Sequence, residues 1–121
     1  MKIEELSVGD WVAYNGKKYR IKQISSPYAS VTLWGNNEQR DESIVLIVPI
    51  RLTPEILEKN GISKTYESDE YAVYKGEGFN VTEYYTELWE FEKHRNRLMI
   101  RNVHQLQHAL RLAGVGKEIE V

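Results

Sequence analysis

Helical periodicity is confined to two short stretches of this chain, and each is closed at both ends by its own capping residues. Strands and turns must therefore organise the rest. The clearer stretch is Asn102–Gly114, NVHQLQHALRLAG. Asn102 is a strong N-cap residue and Gln105 stands at N3, the arrangement of a capping box. Gly114 takes the C′ place, where a left-handed residue is wanted, with Leu110 and Val115 at the C3 and C″ positions that meet in a Schellman ending. Val103, Leu106, Ala109, Leu110 and Ala113 share one stripe at helical spacing, and His104, His108 and Arg111 gather on the other side. The second stretch begins with Thr53 as N-cap and Pro54 at N1; Leu52 and Leu57 occupy the places of a hydrophobic staple, and Gly61-Ile62 repeats the same ending. Helices are expected over about 54–60 and about 103–112.

Outside these stretches the pattern is period two. Trp11-Val12-Ala13-Tyr14, Asn15-Gly16 and Lys17–Ile24 form a hairpin whose turn carries the strongest short-range signal for one. Within it Tyr19, Ile21 and Gln23 alternate with the basic Lys18, Arg20 and Lys22. Ser30–Trp34 is a third strand, and the continuous apolar run Ser43–Val48 has the pattern of a central strand buried on both faces. This packing of short strands predicts a small SH3-like β-barrel over residues 1–49. Residues 50–121 are expected to form an α+β subdomain: an antiparallel meander sheet with the two helices and a terminal strand at Glu118–Val121. Its hairpins turn at Gly76-Glu77-Gly78 and at Arg95-Asn96, with Trp89 and Phe91 facing inward.

With 121 residues the chain is one domain or two very small ones, able to bury roughly two-thirds of its unfolded surface. It has no cysteine, which excludes disulfides and thiol catalysis. The opening MKIEELSVGDW lacks an apolar core of the signal-peptide kind, and no run is long enough to span a bilayer, so a soluble cytoplasmic protein without membrane contact is expected. The net charge of −2 argues against a strongly electrostatic nucleic-acid binder. Charge is unevenly spread, however. Acids dominate from Glu67 to Glu92, and no acid occurs between Lys93 and Lys117, so the two segments are either separate patches or cross-strand partners.

The HQLQH spacing of His104 and His108 is that of the zinc-protease helix, but Gln105 stands where that chemistry needs a glutamate base. Arg111 would set a fixed positive charge beside any metal, and no cysteine can complete a structural site. No metal, cofactor or catalytic residue is therefore expected, and no enzymatic activity. No nucleophile elbow, phosphate loop or dinucleotide fingerprint occurs either.

VHQLQHALRLAGVGKEIEV at Val103–Val121, with IRLTPEILEKNGI at Ile50–Ile62 and SVGDWVAYNGKKYRIKQI at Ser7–Ile24, resembles a group of small uncharacterised proteins encoded in prophage and other mobile-element regions of gut bacteria. Relatives in that group often carry a cysteine where this chain has Ala113. The resemblance implies a bacterial accessory protein and brings no activity or catalytic residues with it.

The function expected is that of a non-catalytic interaction module binding a protein partner or itself. The candidate contact residues are Trp11, Tyr14, Tyr28 and Trp34, which with Tyr19 either line a groove in the first half or fill the interior of the barrel, and His104, His108 and Arg111 on the polar side of the second helix. The alternative is an accessory protein associated with nucleic acid through the basic hairpin 17–22 and the basic segment 93–117.

Overall fold

The computed structural model describes residues 1–121 and divides into two compact units, Met1–Ile50 and Arg51–Val121. The class is α+β, carried mainly by two antiparallel five-stranded sheets with two helices.

The first unit contains β1 (Trp11–Tyr14), β2 (Lys17–Ser25), β3 (Ser30–Gly35), β4 (Glu38–Ser43) and β5 (Val48–Pro49), in the spatial order β4-β3-β2-β1-β5. Asn15 and Gly16 both have positive φ, as a two-residue hairpin turn of the primed type requires, and Asn36-Asn37 repeats the device between β3 and β4. One face buries Val12, Tyr19, Ile21, Val31 and Leu33 together with Leu6, Ile44 and Ile47.

Three expectations change here. The sheet is not a closed barrel, because β4 and β5 do not pair. On the core side β4 presents Glu38, Arg40 and Glu42: Arg40 lies 3.0 Å from Glu42 and 3.8 Å from Glu38, and the Tyr19 hydroxyl donates to Glu38 at 2.5 Å. Such inward charge blunts a strand edge. The apolar run 43–48 is not a buried central strand but a 3-10 turn, Ile44–Leu46, followed by the two-residue β5. Ile44 and Ile47 enter the core while Val45, Leu46 and Val48 are exposed. Finally, Gln23 is exposed and Ile24 packs against the core, because the register between β2 and β3 shifts at Lys22 and reverses the alternation.

The second unit contains α1 (Pro54–Lys59), β6 (Ser63–Glu67), β7 (Tyr71–Gly76), β8 (Phe79–Tyr84), β9 (Leu88–Lys93), β10 (Asn96–Ile100) and α2 (Val103–Leu112). Its sheet is a meander in the order β10-β9-β8-β7-β6. Ala72, Tyr74, Phe79, Val81, Trp89, Phe91 and Ile100 are buried, as are Ile56, Leu57, Val103, Leu106, Ala109 and Leu110 of the helices. Phe79 stacks on Phe91 at 5.6 Å and lies over Gly76, where a Cβ would stand 2.2 Å from its ring.

Both helices end as their sequences require. Val115 N donates to Leu110 O and Gly114 N to Arg111 O; Ile62 N donates to Leu57 O and Gly61 N to Glu58 O. Gly61 and Gly114 have φ of +74° and +73°. At the start of α2, Gln105 Oε1 accepts from Arg101 N and Asn102 N. At the start of α1, Thr53 Oγ1 accepts from Ile56 N.

The expected terminal strand does not form. Residues 118–121 lie outside any sheet, although Ile119 is buried. Asn60, at the end of α1, supplies what a neighbouring strand would have supplied. Its Nδ2 donates to Glu120 O at 2.7 Å and its Oδ1 accepts from Glu120 N at 2.8 Å, while Lys59 Nζ donates to Val121 O. One side-chain amide thus stands in for a strand backbone, leaving nothing for a ladder to extend.

Candidate functional site

On the outer face of the first sheet, three strands place three large side chains in one row. The Asn15-Gly16 turn fixes Trp11 opposite Arg20, and the β2–β3 register sets Arg20 opposite Trp34. Gln39 of β4 continues the row beyond Trp34. Lys18 and Lys22, which alternate with the buried Tyr19 and Ile21, are exposed beside it.

Arg20 is held in place by two contacts of different kinds. Its Nε and Nη2 both donate to Gly9 O at 3.2 Å, and its guanidinium lies 5.4 Å from the Trp11 ring centroid. Gly9 has φ +95°, so the turn that aims this carbonyl is available to glycine and strained for other residues. The indole beneath gives the fixed cation a quadrupolar seat. Trp34 is left 50% exposed. Val8, Gly9, Arg20, Ile21, Lys22 and Trp34 enclose a shallow depression of about 400 Å³. The result is a rigid apolar and cationic surface, suited to an aromatic or extended ligand carrying negative charge.

The four aromatic residues proposed from the sequence do not line one groove. Trp11 and Trp34 share the outer row. Tyr14 lies on the opposite, core-side face: its ring meets Tyr19 edge-on at 6.3 Å, and Arg40 stands 5.2 Å from its centroid. Tyr28 projects from the 3-10 turn Ser26–Tyr28 and is 81% exposed. Even residues of β1 face the core and odd ones face out, so Trp11 and Tyr14 cannot share a surface.

The histidines also require correction, because they are not an exposed pair. His104 is only 4% exposed, His108 is half-buried, and Arg111 is exposed. The buried arc of α2 takes in Val103, His104, Leu106, Gln107, Ala109 and Leu110, a wider band than the aliphatic stripe alone. The two imidazoles meet edge-on at 5.7 Å. No group of three or more His, Asp or Glu side chains is placed to hold a metal ion.

The charge split between the acidic and basic segments is resolved in part by pairing across strands. Arg97 of β10 pairs with Glu92 of β9 at 3.0 Å, and Lys93 Nζ donates to Ala113 O at the end of α2. Elsewhere in this unit burial pushes the Tyr74 hydroxyl up to about 12 and raises the Glu83 carboxyl, with Glu55 and Glu67 adding to the latter shift and Lys64 opposing it.

Arg20 is the member of the row that residue types alone do not single out. The two-residue turn was the available signal for its place opposite Trp11. Trp34 could not be placed from sequence, since its register depends on the bulge at Lys22. No helix is long and apolar enough to cross a membrane. Comparison with protein-family models, with curated proteins and with solved structures gives no match.

Proposed function

We propose that the chain is a non-catalytic interaction module of phage or mobile-element origin, acting in the cytoplasm, which binds a protein partner through the outer face of its first sheet. The observation that carries this reading is the Trp11–Arg20–Trp34 row. Tryptophan and arginine are the residue types that most often dominate interface energies, and a guanidinium already fixed by Gly9 loses little freedom on binding. Lys18 and Lys22 bias the choice towards partners with acidic segments. The strand order supports a matching reading of the fold as an open relative of the SH3-like barrels: a 3-10 turn precedes β5, and β5 returns beside β1. Self-association through the same row is the homotypic form of this function.

The test is affinity enrichment from the native host with wild-type protein and Trp34→Ala, alongside light scattering. A discrete protein retained by the wild type and lost with Trp34→Ala is expected. A strict monomer whose retained proteins are all kept by Trp34→Ala as well would overturn the proposal.

A second reading is favoured by one feature, the placement of Lys18, Arg20 and Lys22 on the same face as two indoles. Stacking surfaces combined with cations are the chemistry of single-strand binding. The basic segment 93–117 would then be a further contact surface. Its signature is an affinity for oligo-dT that falls steeply with salt, and no retention at low salt would remove it.

A further inference from the structure

The strands at the four sheet edges are not alike. In the first unit, β4 turns Glu38, Arg40 and Glu42 inward, and β5 is two residues long and ends in Pro49. In the second unit, β6 is interrupted by a register shift between Lys64 and Tyr66. Inward charges, a short strand, proline and a bulge are the devices that stop strangers from adding to a sheet. The fourth edge, β10, lacks them: it pairs with β9 in unbroken register over Asn96–Ile100 and exposes Leu98 and Met99. Chain crosses this edge only past its end, at Arg51 and Leu52 beside Asn102 and Arg101.

The hydrogen-bonding groups along β10 follow from its turn. The turn falls one residue earlier than the expected Arg95-Asn96: a two-residue loop, His94-Arg95, joins β10 to β9, so the flanking pair Lys93 and Asn96 exchange bonds, and the pattern alternates from there. Arg97 and Met99 therefore aim their N–H and C=O groups away from the sheet. Beside this open ladder runs a groove of about 470 Å³ with an apolar floor of Phe91, Leu98, Ala109, Leu112 and Ala113. Leu112 is 86% exposed on the last turn of α2, and Leu98 is 45% exposed across from it. The rim carries Lys93, His94 and Arg97; Arg97 is shared with Glu92 of β9 and Lys93 Nζ with Ala113 O, and no acid occurs from Lys93 to Lys117.

We infer that β10 and the groove beside α2 form a second docking site, which takes an extended acidic peptide by strand addition. The added strand pairs its backbone with Arg97 and Met99. One apolar side chain enters between Leu98 and Leu112, and flanking carboxylates meet the basic rim. A second copy of this chain fits less well: antiparallel pairing of two β10 strands centred on Leu98 sets Arg95 of each near Arg101 of the other, and like charges facing across a ladder repel.

The site is tested with two fluorescein-labelled, end-blocked peptides, EVEVEVE and KVKVKVK, by fluorescence anisotropy and amide chemical shifts on the full chain. Saturable binding of the acidic peptide alone is expected, with the largest shifts at Arg97 and Met99. Leu112→Glu, on an exposed position that leaves the core untouched, should weaken it at least about tenfold. Met99→Pro, which removes an outward N–H, should abolish it, and Trp34→Ala should leave it unchanged, separating this site from the row on the first sheet. Absence of saturable binding, equal binding of the lysine peptide, or indifference to Leu112→Glu would overturn the inference. So would a dimer that Leu112→Glu disperses without peptide, since a second copy would then be the occupant.

Discussion

Replacing Asn60 by alanine should loosen the second unit more than a single polar truncation normally does. The Asn60 amide makes three short bonds, to Ile56 O at 2.7 Å, to Glu120 O at 2.7 Å and from Glu120 N at 2.8 Å. If the tail stays docked, those bonds are lost at about 1 kcal/mol each, and Glu120 keeps an amide and a carbonyl poorly satisfied, for a total of about 3 kcal/mol. If the tail detaches, burial of Ile119 is forfeited as well, about 2 kcal/mol, while the freed residues regain about 1 kcal/mol or more of backbone entropy each. With residues 118–121 freed, the regained entropy offsets most of the second route's extra cost, and the two routes bracket a loss of about 1–3 kcal/mol. Urea denaturation reads the loss, and hydrogen exchange at Ile119 and Glu120 tells which route is taken. A loss below about 0.5 kcal/mol, with Glu120 exchange unchanged, would refute the role assigned to this amide.

Two further outcomes are expected. His104→Ala should lower stability by about 2 kcal/mol because it empties a buried position on α2, and His108→Ala, at the rim of that helix, should cost less than half as much; thermal melts of the two variants side by side check the order. For Glu83 the folded-state pKa is raised, chiefly by burial. Its favourable contribution is therefore complete below the unfolded carboxylate pKa and is lost as pH rises through the folded one. Glu83→Gln removes the charge and keeps an acceptor for Tyr74, so it should raise the melting temperature at neutral pH, with the gain shrinking towards about pH 4; a gain that grows on acidification would contradict this.

What the sequence made legible is what short range decides. Asn15-Gly16, Thr53-Pro54, Gly61 and Gly114 each act within a few residues, and the turns and helix ends they announce are present as read. What it concealed depends on partners distant in the chain. The run 43–48 is apolar enough for a central strand, yet the core takes only Ile44 and Ile47 and leaves the residues between them outside. Glu118–Val121 alternates like a strand, but Asn60 fills the pairing positions first. His104 falls on the polar side of the helical pattern because its neighbours at helical spacing are polar, whereas the buried arc of α2 is broad enough to include both it and Gln107. The candidate site shows the same division. Trp11 opposite Arg20 follows from a turn of two residues, and Trp34 joins them only through a bulge that no local pattern marks.

Docking of a partner on the Trp11–Arg20–Trp34 row can be read out by photo-crosslinking in the native host from a benzoylphenylalanine introduced at position 34, with the same group at Thr82 of the second sheet as the control. Discrete covalent protein adducts are expected from position 34, with none of the same mass from position 82. An absence of adducts from position 34, or the same adducts from both positions, would contradict it.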